Sequence, residues 1–168
     1  MVEVEVALIT VDTRVNMPIV LLKEKEGSPK RVLPIWIGQA EATAIQLKLK
    51  NAPNTPRPMT HDLMKNLIES LDARVDSIFV HSVIASEGEG GTYLGQINLE
   101  VAGKKIEVDS RPSDAIALAL RLEAPIHVAD QILEDNGFSE DEIKDSGKEA
   151  AKSALENLDE DALGRYSV

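Results

Sequence analysis

The feature that most constrains the fold of this chain is the stretch of residues 106–128, IEVDSRPSDAIALALRLEAPIHV. Its first residues alternate apolar and acidic side chains, which is typical of a half-buried strand. Pro112 suits the first turn of a helix, because it has no N–H to donate and its φ is already helical. Nearly every residue from 115 to 122 is apolar, so we predict a helix that is buried on all sides. Pro125 ends this helix, and a short strand follows.

Composition limits the class of protein. At 168 residues and 43% apolar content, the chain is long enough for one domain with a substantial core. The absence of cysteine excludes disulfides, zinc–thiolate sites and cysteine nucleophiles. The first residues, MVEVEVALITVD, lack the basic segment and apolar run of a signal peptide, and the buried helix is far shorter than a bilayer span. We therefore expect a cytoplasmic protein that does not contact a membrane.

The remaining patterns predict two groups of three strands and two further helices. The strands are expected at residues 2–11, 19–22 and 32–37, and at 74–84, 92–101 and 104–109, each group forming an antiparallel meander. The further helices are expected at residues 38–51 and 61–71, so that three main helices pack with the sheet in an α+β fold. We place the main domain at residues 1–136. Residues 137–168 are predicted to form an acidic helical C-terminal appendage, because two capping boxes precede weakly amphipathic segments there.

The net charge of −11 is unevenly distributed. Residues 1–130 hold 14 Lys and Arg against 18 Asp and Glu, whereas residues 131–168 hold 4 against 11. A protein that binds a long duplex tightly should have a basic stripe, and none is evident. Charge therefore argues against tight duplex binding but leaves a nucleic-acid substrate open.

Several acidic residues fall near predicted helix starts. Glu41, Asp62 and Asp114 lie in the first turns of three helices, and Asp109 ends the strand before the third. Carboxylate oxygens are the ligands that Mg²⁺ and Mn²⁺ prefer, and such a metal could activate a water to attack a phosphodiester. The structural alternative is that each acid stabilises the positive N-terminal end of its own helix. Residue type and spacing leave both interpretations open.

Two arginines and one histidine complete the candidate set. Arg57 and Arg111 each precede a proline, so stiff backbone places both guanidinium groups, which bind carboxylate or phosphate through paired N–H groups. The structural alternative is a salt bridge with Asp109 or Asp114, and this is the interpretation that we favour for Arg111. His61 begins a helix, where it can act as a general acid or base or have a local structural role.

Three runs of the sequence, taken together, resemble the bifunctional nuclease domain family. They are LPIWIGQAEATAI at 33–45, PRPMTHDLMKNLIESLDARV at 56–75 and VDSRPSDAIALALR at 108–121. The resemblance implies a strongly bent, mostly antiparallel sheet in an α+β domain, a homodimer, and hydrolysis of RNA and DNA. The family's motif positions fall here on Trp36, Gly38, Glu41, Arg57, Pro58, Thr60, His61, Asp62, Asp109, Arg111, Pro112, Ser113 and Asp114. The tail departs from plant members of the family, which carry a further UVR-type segment after the domain.

Two functions from different classes follow. The first is a nuclease in which Mg²⁺ or Mn²⁺ is held by carboxylates, with arginines on the phosphate and a histidine in proton transfer. Its predicted catalytic residues are Asp109, Asp114, His61, Arg57 and Arg111, and its predicted metal ligands are Asp109, Asp114, Glu41 and Asp62. The second is a non-enzymatic homodimeric binding or regulatory domain that recognises a small anion, a peptide or a protein partner. The acidic net charge favours the second function.

Overall fold

The computed structural model describes residues 1–51, 56–85 and 91–140 of the chain. The strands are β1 (Val2–Asp12), β2 (Met17–Glu24), β3 (Arg31–Trp36), β4 (Ala73–Ala85), β5 (Gly91–Val101), β6 (Lys104–Ser110), β7 (Ile126–Val128) and β8 (Phe138–Ser139). The helices are α1 (Gln39–Leu49), α2 (Thr60–Ser70), α3 (Pro112–Leu122) and α4 (Asp130–Asn136). The predicted α+β class is confirmed, since the described helices accompany a mostly antiparallel sheet.

The strands form one eight-stranded sheet in the order β6-β5-β4-β7-β1-β2-β3-β8. Both predicted meanders are confirmed, because β1, β2 and β3 pair antiparallel in sequence order, as do β4, β5 and β6. The short strand β7 joins them, pairing antiparallel with β1 and parallel with β4. Bulges after Val6 in β1 and after Val75 and Val80 in β4 bend the sheet.

Helix α3 lies at the centre of the core, as its apolar sequence predicts. Every residue from Ala115 to Ala119 is completely buried, and the helix packs against α1, α2, β4 and β5. Replacing a buried leucine or isoleucine with alanine in such a setting costs about 2–5 kcal/mol, through lost transfer energy and an unfilled cavity. The start of α3 is therefore held rigidly relative to the sheet.

Gly95 in β5 allows the connection between β6 and α3 to lie directly on the sheet. A Cβ at this position would lie 3.0 Å from the carbonyl oxygen of Ser110 and 3.0 Å from the nitrogen of Pro112. Both neighbours are backbone atoms, which yield less readily than the end of a side chain. The absent side chain thus sets how closely Arg111 approaches β5.

The chain after α4 returns to the sheet. Residues Phe138 and Ser139 form β8 on the edge of β3, opposite Val32 and Arg31. These two residues were predicted to begin a helical appendage, and they are extended instead because β3 offers an unpaired edge. Glu140 is the last described residue, and its N–H donates to the carbonyl oxygen of Lys30. The predicted appendage from residue 141 onward lies outside the described residues. Among the described residues, no helix is both long enough and apolar enough to cross a membrane.

Candidate active site

The starts of α1 and α3 meet at the side chain of Arg111. Its Nη2 donates to Oε1 of Glu41 at 2.6 Å, and its Nε donates to Oδ2 of Asp114 at 2.7 Å. Arg111 is the residue before Pro112, so its extended backbone is suited to the entry of α3. The guanidinium group thereby links two carboxylates that are 73 positions apart in the sequence. The predicted salt bridge with Asp114 is present, and Glu41 rather than Asp109 is the second partner.

His61, at the start of α2, binds the other oxygen of Asp114. Its Nε2 lies 3.1 Å from Oδ1 of Asp114, and the residue is buried, with 7% of its surface exposed. The three helix starts are therefore joined in one chain of contacts, from Glu41 through Arg111 and Asp114 to His61. The Arg111–Asp114 pair is local along the chain, whereas the Glu41–Arg111 and His61–Asp114 contacts depend on how α1, α2 and α3 pack.

The charges and hydrogen bonds in this chain of contacts favour an ionised Asp114. Burial acts to raise the pKa of the Asp114 carboxyl, but hydrogen bonds from Arg111 and His61 outweigh burial, so the pKa lies below its usual value of 3.8. The same contacts raise the pKa of Arg111, first through Asp114 and then through Glu41. When Asp114 is charged it can only accept, so Nε2 of His61 carries the proton of their hydrogen bond. The Nδ1 atom of a neutral His61 is then the basic one.

A second ion pair, which the sequence analysis missed, lies beside the first. Arg121 near the end of α3 donates from Nε to Oδ1 of Asp62 at 2.5 Å, and from Nη1 to the carbonyl oxygens of Ala44 and Ala117 at 3.2 and 2.9 Å. It therefore ties α3 to both α1 and α2. One sequence signal could have indicated this ion pair: Arg121 is the single arginine within a helix predicted to be buried, and a buried charge requires a partner. Asp62 also accepts from the backbone N–H of Met59 at 3.0 Å.

A pocket of about 270 Å³ opens beside Arg111. It is bordered by Trp36 at the end of β3, by Gly38 just before α1, by Tyr93 from β5, and by Arg111 and Ser113 from the start of α3. Its walls combine aromatic rings with a guanidinium group. Such a combination suits a ligand with a flat apolar part and an anionic part.

The other predicted site residues are placed differently. Asp109 is exposed on the edge strand β6, opposite Gln96 of β5, and Arg57 is exposed in the connection before α2. Asp62 binds Arg121 rather than facing Asp114. The helix starts thus bring together Glu41, His61, Arg111 and Asp114, while Asp109 lies outside that chain of contacts.

The fit to a divalent metal can be judged from the donors. Within the described ranges, no three His, Asp or Glu side chains are grouped so that they could hold a metal ion. The charges of Glu41 and Asp114 are compensated by Arg111, which occupies the space between them. As arranged, these carboxylates do not fit a metal site, and the predicted Mg²⁺ or Mn²⁺ ligand set stays a prediction.

Comparison with known proteins gives consistent matches. The model of the bifunctional nuclease domain matches residues 20–141. An uncharacterised protein of Mycobacterium tuberculosis is 37% identical over 153 residues, which cover 91% of this chain and 85% of that protein. Bifunctional nuclease 1 of Oryza sativa subsp. japonica is 29% identical over 71% of this chain, and Bifunctional nuclease 2 of Arabidopsis thaliana is 25% identical over 77%. The matched parts span 35% and 37% of these two plant proteins.

Proposed function

The chain belongs to the bifunctional nuclease domain family, and from that premise we propose that it hydrolyses phosphodiester bonds of RNA or DNA at the start of α3. The observation that carries this proposal is the contact chain Glu41–Arg111–Asp114–His61, with a partly exposed guanidinium group at the mouth of a pocket. It joins an anion-binding group to a group that can transfer protons. Both groups can assist the hydrolysis of a phosphodiester.

Arg111 is the proposed phosphate-binding group. Its side chain is 67% exposed even though it pairs with two carboxylates. These two bonds use two of the five N–H donors of a guanidinium group, so donors remain for the oxygens of a phosphate. Glu41 and Asp114 then orient Arg111, and charge that develops on the phosphate would be stabilised without reorganisation of the site.

His61 is the proposed proton-transfer group. Asp114 binds Nε2 and favours the tautomer in which Nδ1 accepts a proton, which is the arrangement of a carboxylate-oriented base. In the proposed step, the oxygen of a water attacks the phosphorus and one of its protons passes to Nδ1 of His61. The P–O bond to the leaving group breaks, and the leaving oxygen takes up a proton from the solvent. Asp114 stays ionised and positions the imidazole.

The other predictions from the sequence continue as parts of this proposal. A dependence on Mg²⁺ or Mn²⁺, a homodimeric state, a cytoplasmic location, and catalytic roles for Asp109 and Arg57 each need their own measurement. Cleavage assays with a chelator, with Mg²⁺ and with Mn²⁺ test the metal, and light scattering tests the dimer. Activity of Asp109→Asn and Arg57→Gln tests the two exposed side chains.

The deciding experiment measures cleavage of end-labelled single-stranded RNA and DNA by purified protein. We expect Asp114→Asn to lose at least about 100-fold in rate, since it weakens the hold on both Arg111 and His61. Glu107→Gln is the matched control, because Glu107 is an exposed acid on β6 and its neutralisation should leave the rate unchanged. Full activity in a folded Asp114→Asn protein would disprove the site assignment.

A non-enzymatic anion-binding domain is the second candidate function. The observation that favours it is the compensation of Glu41 and Asp114 by Arg111, which resembles a preformed anion-binding arrangement more than a set of metal ligands. Stabilisation of the protein by phosphate, without cleavage under any metal condition, would support this function over the first.

A further inference from the structure

We propose that the pocket beside Arg111 holds a single unpaired nucleotide, with its base against Trp36 and Tyr93 and its phosphate on Arg111. The proposal rests on the proposed function and goes beyond it by naming the substrate class as single-stranded nucleic acid. Three features of the pocket carry it: an oriented and exposed indole ring, a second aromatic wall, and an anion-binding end.

Trp36 is exposed but held in place. It is the only tryptophan of the chain, and 45% of its surface is exposed, in a protein whose aromatic content is 3%. Its Nε1 donates to Oδ2 of Asp12 at 3.3 Å, and Asp12 is in turn bound by Arg14 at 3.0 Å. An indole fixed at its polar edge with an open surface is suited to stacking, which every base can provide.

Tyr93 supplies the second aromatic wall. It lies near the start of β5 and is partly buried, and burial raises the pKa of its hydroxyl above the usual 10.0. The ring is therefore neutral at physiological pH, so it presents no charge to a base. Trp36 and Tyr93 come from opposite halves of the sheet and border one pocket, which gives a base contact on two sides.

The anion-binding end lies where Arg111 and Ser113 border the pocket. Arg111 precedes the first turn of α3, whose positive dipole end favours an anion. The guanidinium group supplies a full positive charge in addition. A phosphate at this end and a base at the aromatic end match the two parts of one nucleotide.

The size of the pocket excludes an intact duplex. A volume of about 270 Å³ lies below the usual 300–1,000 Å³ of small-molecule pockets, so it suits one base rather than a base pair. In a duplex the faces of each base are covered by its neighbours, whereas an unpaired base can turn out and stack on a side chain.

The single tryptophan provides a direct test. Fluorescence of the full chain is titrated, in the presence of a chelator so that cleavage does not interfere, with adenosine monophosphate, ribose 5-phosphate, a short single strand and the matching duplex. We expect saturable quenching by adenosine monophosphate and by the single strand. Ribose 5-phosphate should cause no quenching, and the duplex should bind at least about tenfold more weakly than the single strand.

Two variants and one control locate the binding. Tyr93→Leu should weaken adenosine monophosphate binding about tenfold through loss of stacking, and Arg111→Gln should weaken it through loss of the phosphate contact. Phe138→Leu is the control, since Phe138 is an aromatic residue with 49% exposure on β8, outside the pocket. The affinity of the Phe138→Leu variant for adenosine monophosphate should match that of the unmodified protein.

The outcomes separate this proposal from the nuclease proposal. Cleavage of single strands without any tryptophan quenching would overturn the pocket assignment and leave the nuclease function standing. Quenching by nucleotides without cleavage under any metal condition would overturn the nuclease function and leave the pocket standing. Equal quenching by ribose 5-phosphate, or an equal loss of affinity in Phe138→Leu, would overturn base stacking in this pocket.

Discussion

The Nε of Arg121 lies 2.5 Å from Oδ1 of Asp62, and this pair joins the buried helix α3 to the start of α2. The two partners differ in environment. The side chain of Arg121 is only 7% exposed, whereas that of Asp62 is 37% exposed. Water can therefore solvate the carboxylate when its partner is removed, but it cannot reach the guanidinium group as easily.

This asymmetry predicts that Asp62→Asn destabilises the protein more than Arg121→Met. Asp62→Asn leaves a buried charge without its counter-ion, which costs about 3 kcal/mol, whereas Arg121→Met removes the buried charge and keeps an apolar stem of similar length. Urea denaturation measures both, and the double variant should recover part of the loss. Glu69→Gln, at the exposed pair with Lys65 on α2, should cost less than about 0.5 kcal/mol. A larger loss in Arg121→Met than in Asp62→Asn would contradict the prediction.

The lowered pKa of Asp114 predicts a loss of stability in acid. A carboxyl whose pKa is lower in the folded protein stabilises the fold above the unfolded-state value, here about 3.8, and this contribution disappears as the pH falls through the lower folded-state pKa. The pKa of Asp62 is lowered as well. Burial acts to raise it, but hydrogen bonds from Arg121 and from the N–H of Met59 outweigh burial. We expect the free energy of unfolding of Asp114→Asn to fall less steeply below pH 4 than that of the unmodified protein. Parallel pH profiles would show that Asp114 has no such contribution.

Arg111→Lys should be nearly as inactive as Arg111→Gln. Lysine retains the positive charge but lacks the planar fork that contacts Glu41 and Asp114 at once, so the phosphate-binding group loses its orientation. A fall in kcat of about 100-fold is expected for both variants in the single-strand cleavage assay. If lysine restores most of the rate, charge alone suffices and the fork has no role.

Gly38→Ala should impair activity more than stability. A Cβ at Gly38 would overlap Oε2 of Glu41, and the flexible end of the glutamate can move away at little cost. Gly38 has a φ of −74°, so alanine brings no backbone strain, but Arg111 would lose one of its two carboxylate partners. Thermal denaturation should change little while kcat falls severalfold. Gln39→Ala, one residue further along, is the control and should retain its rate.

Gly95→Ala should impair stability more than activity. Its Cβ would meet backbone atoms of Ser110 and Pro112 at 3.0 Å, and these atoms can move only by displacing the start of α3. Crowding of this kind costs about 1–3 kcal/mol. Chemical denaturation measures the loss, and Gly95→Ser should be at least as unstable. A neutral Gly95→Ala would show that the connection before α3 yields easily.

Local pattern was sufficient for most of the secondary structure. Period-two alternation located both meanders, and the apolar run of residues 115–122 identified a helix that is completely buried from Ala115 to Ala119. The order of the central strands could not be predicted in this way. Strand β7 pairs with residues of β4 that lie nearly 50 positions earlier in the chain and with residues of β1 that lie more than 120 positions earlier. A three-residue strand carries no signal of such distant partners.

The candidate site likewise has one part that local sequence pattern predicts and another that depends on packing. The sequence by itself determined that acids and arginines stand at helix starts, because helix dipoles and prolines impose local rules there. Only the tertiary structure decided which of them meet: Arg111 lies between Glu41 and Asp114, Asp62 is bound by Arg121, and Asp109 remains on an exposed edge strand. The physical reason is that a buried charge must find a counter-charge within hydrogen-bonding distance, and the available partner is set by helix packing rather than by position along the chain.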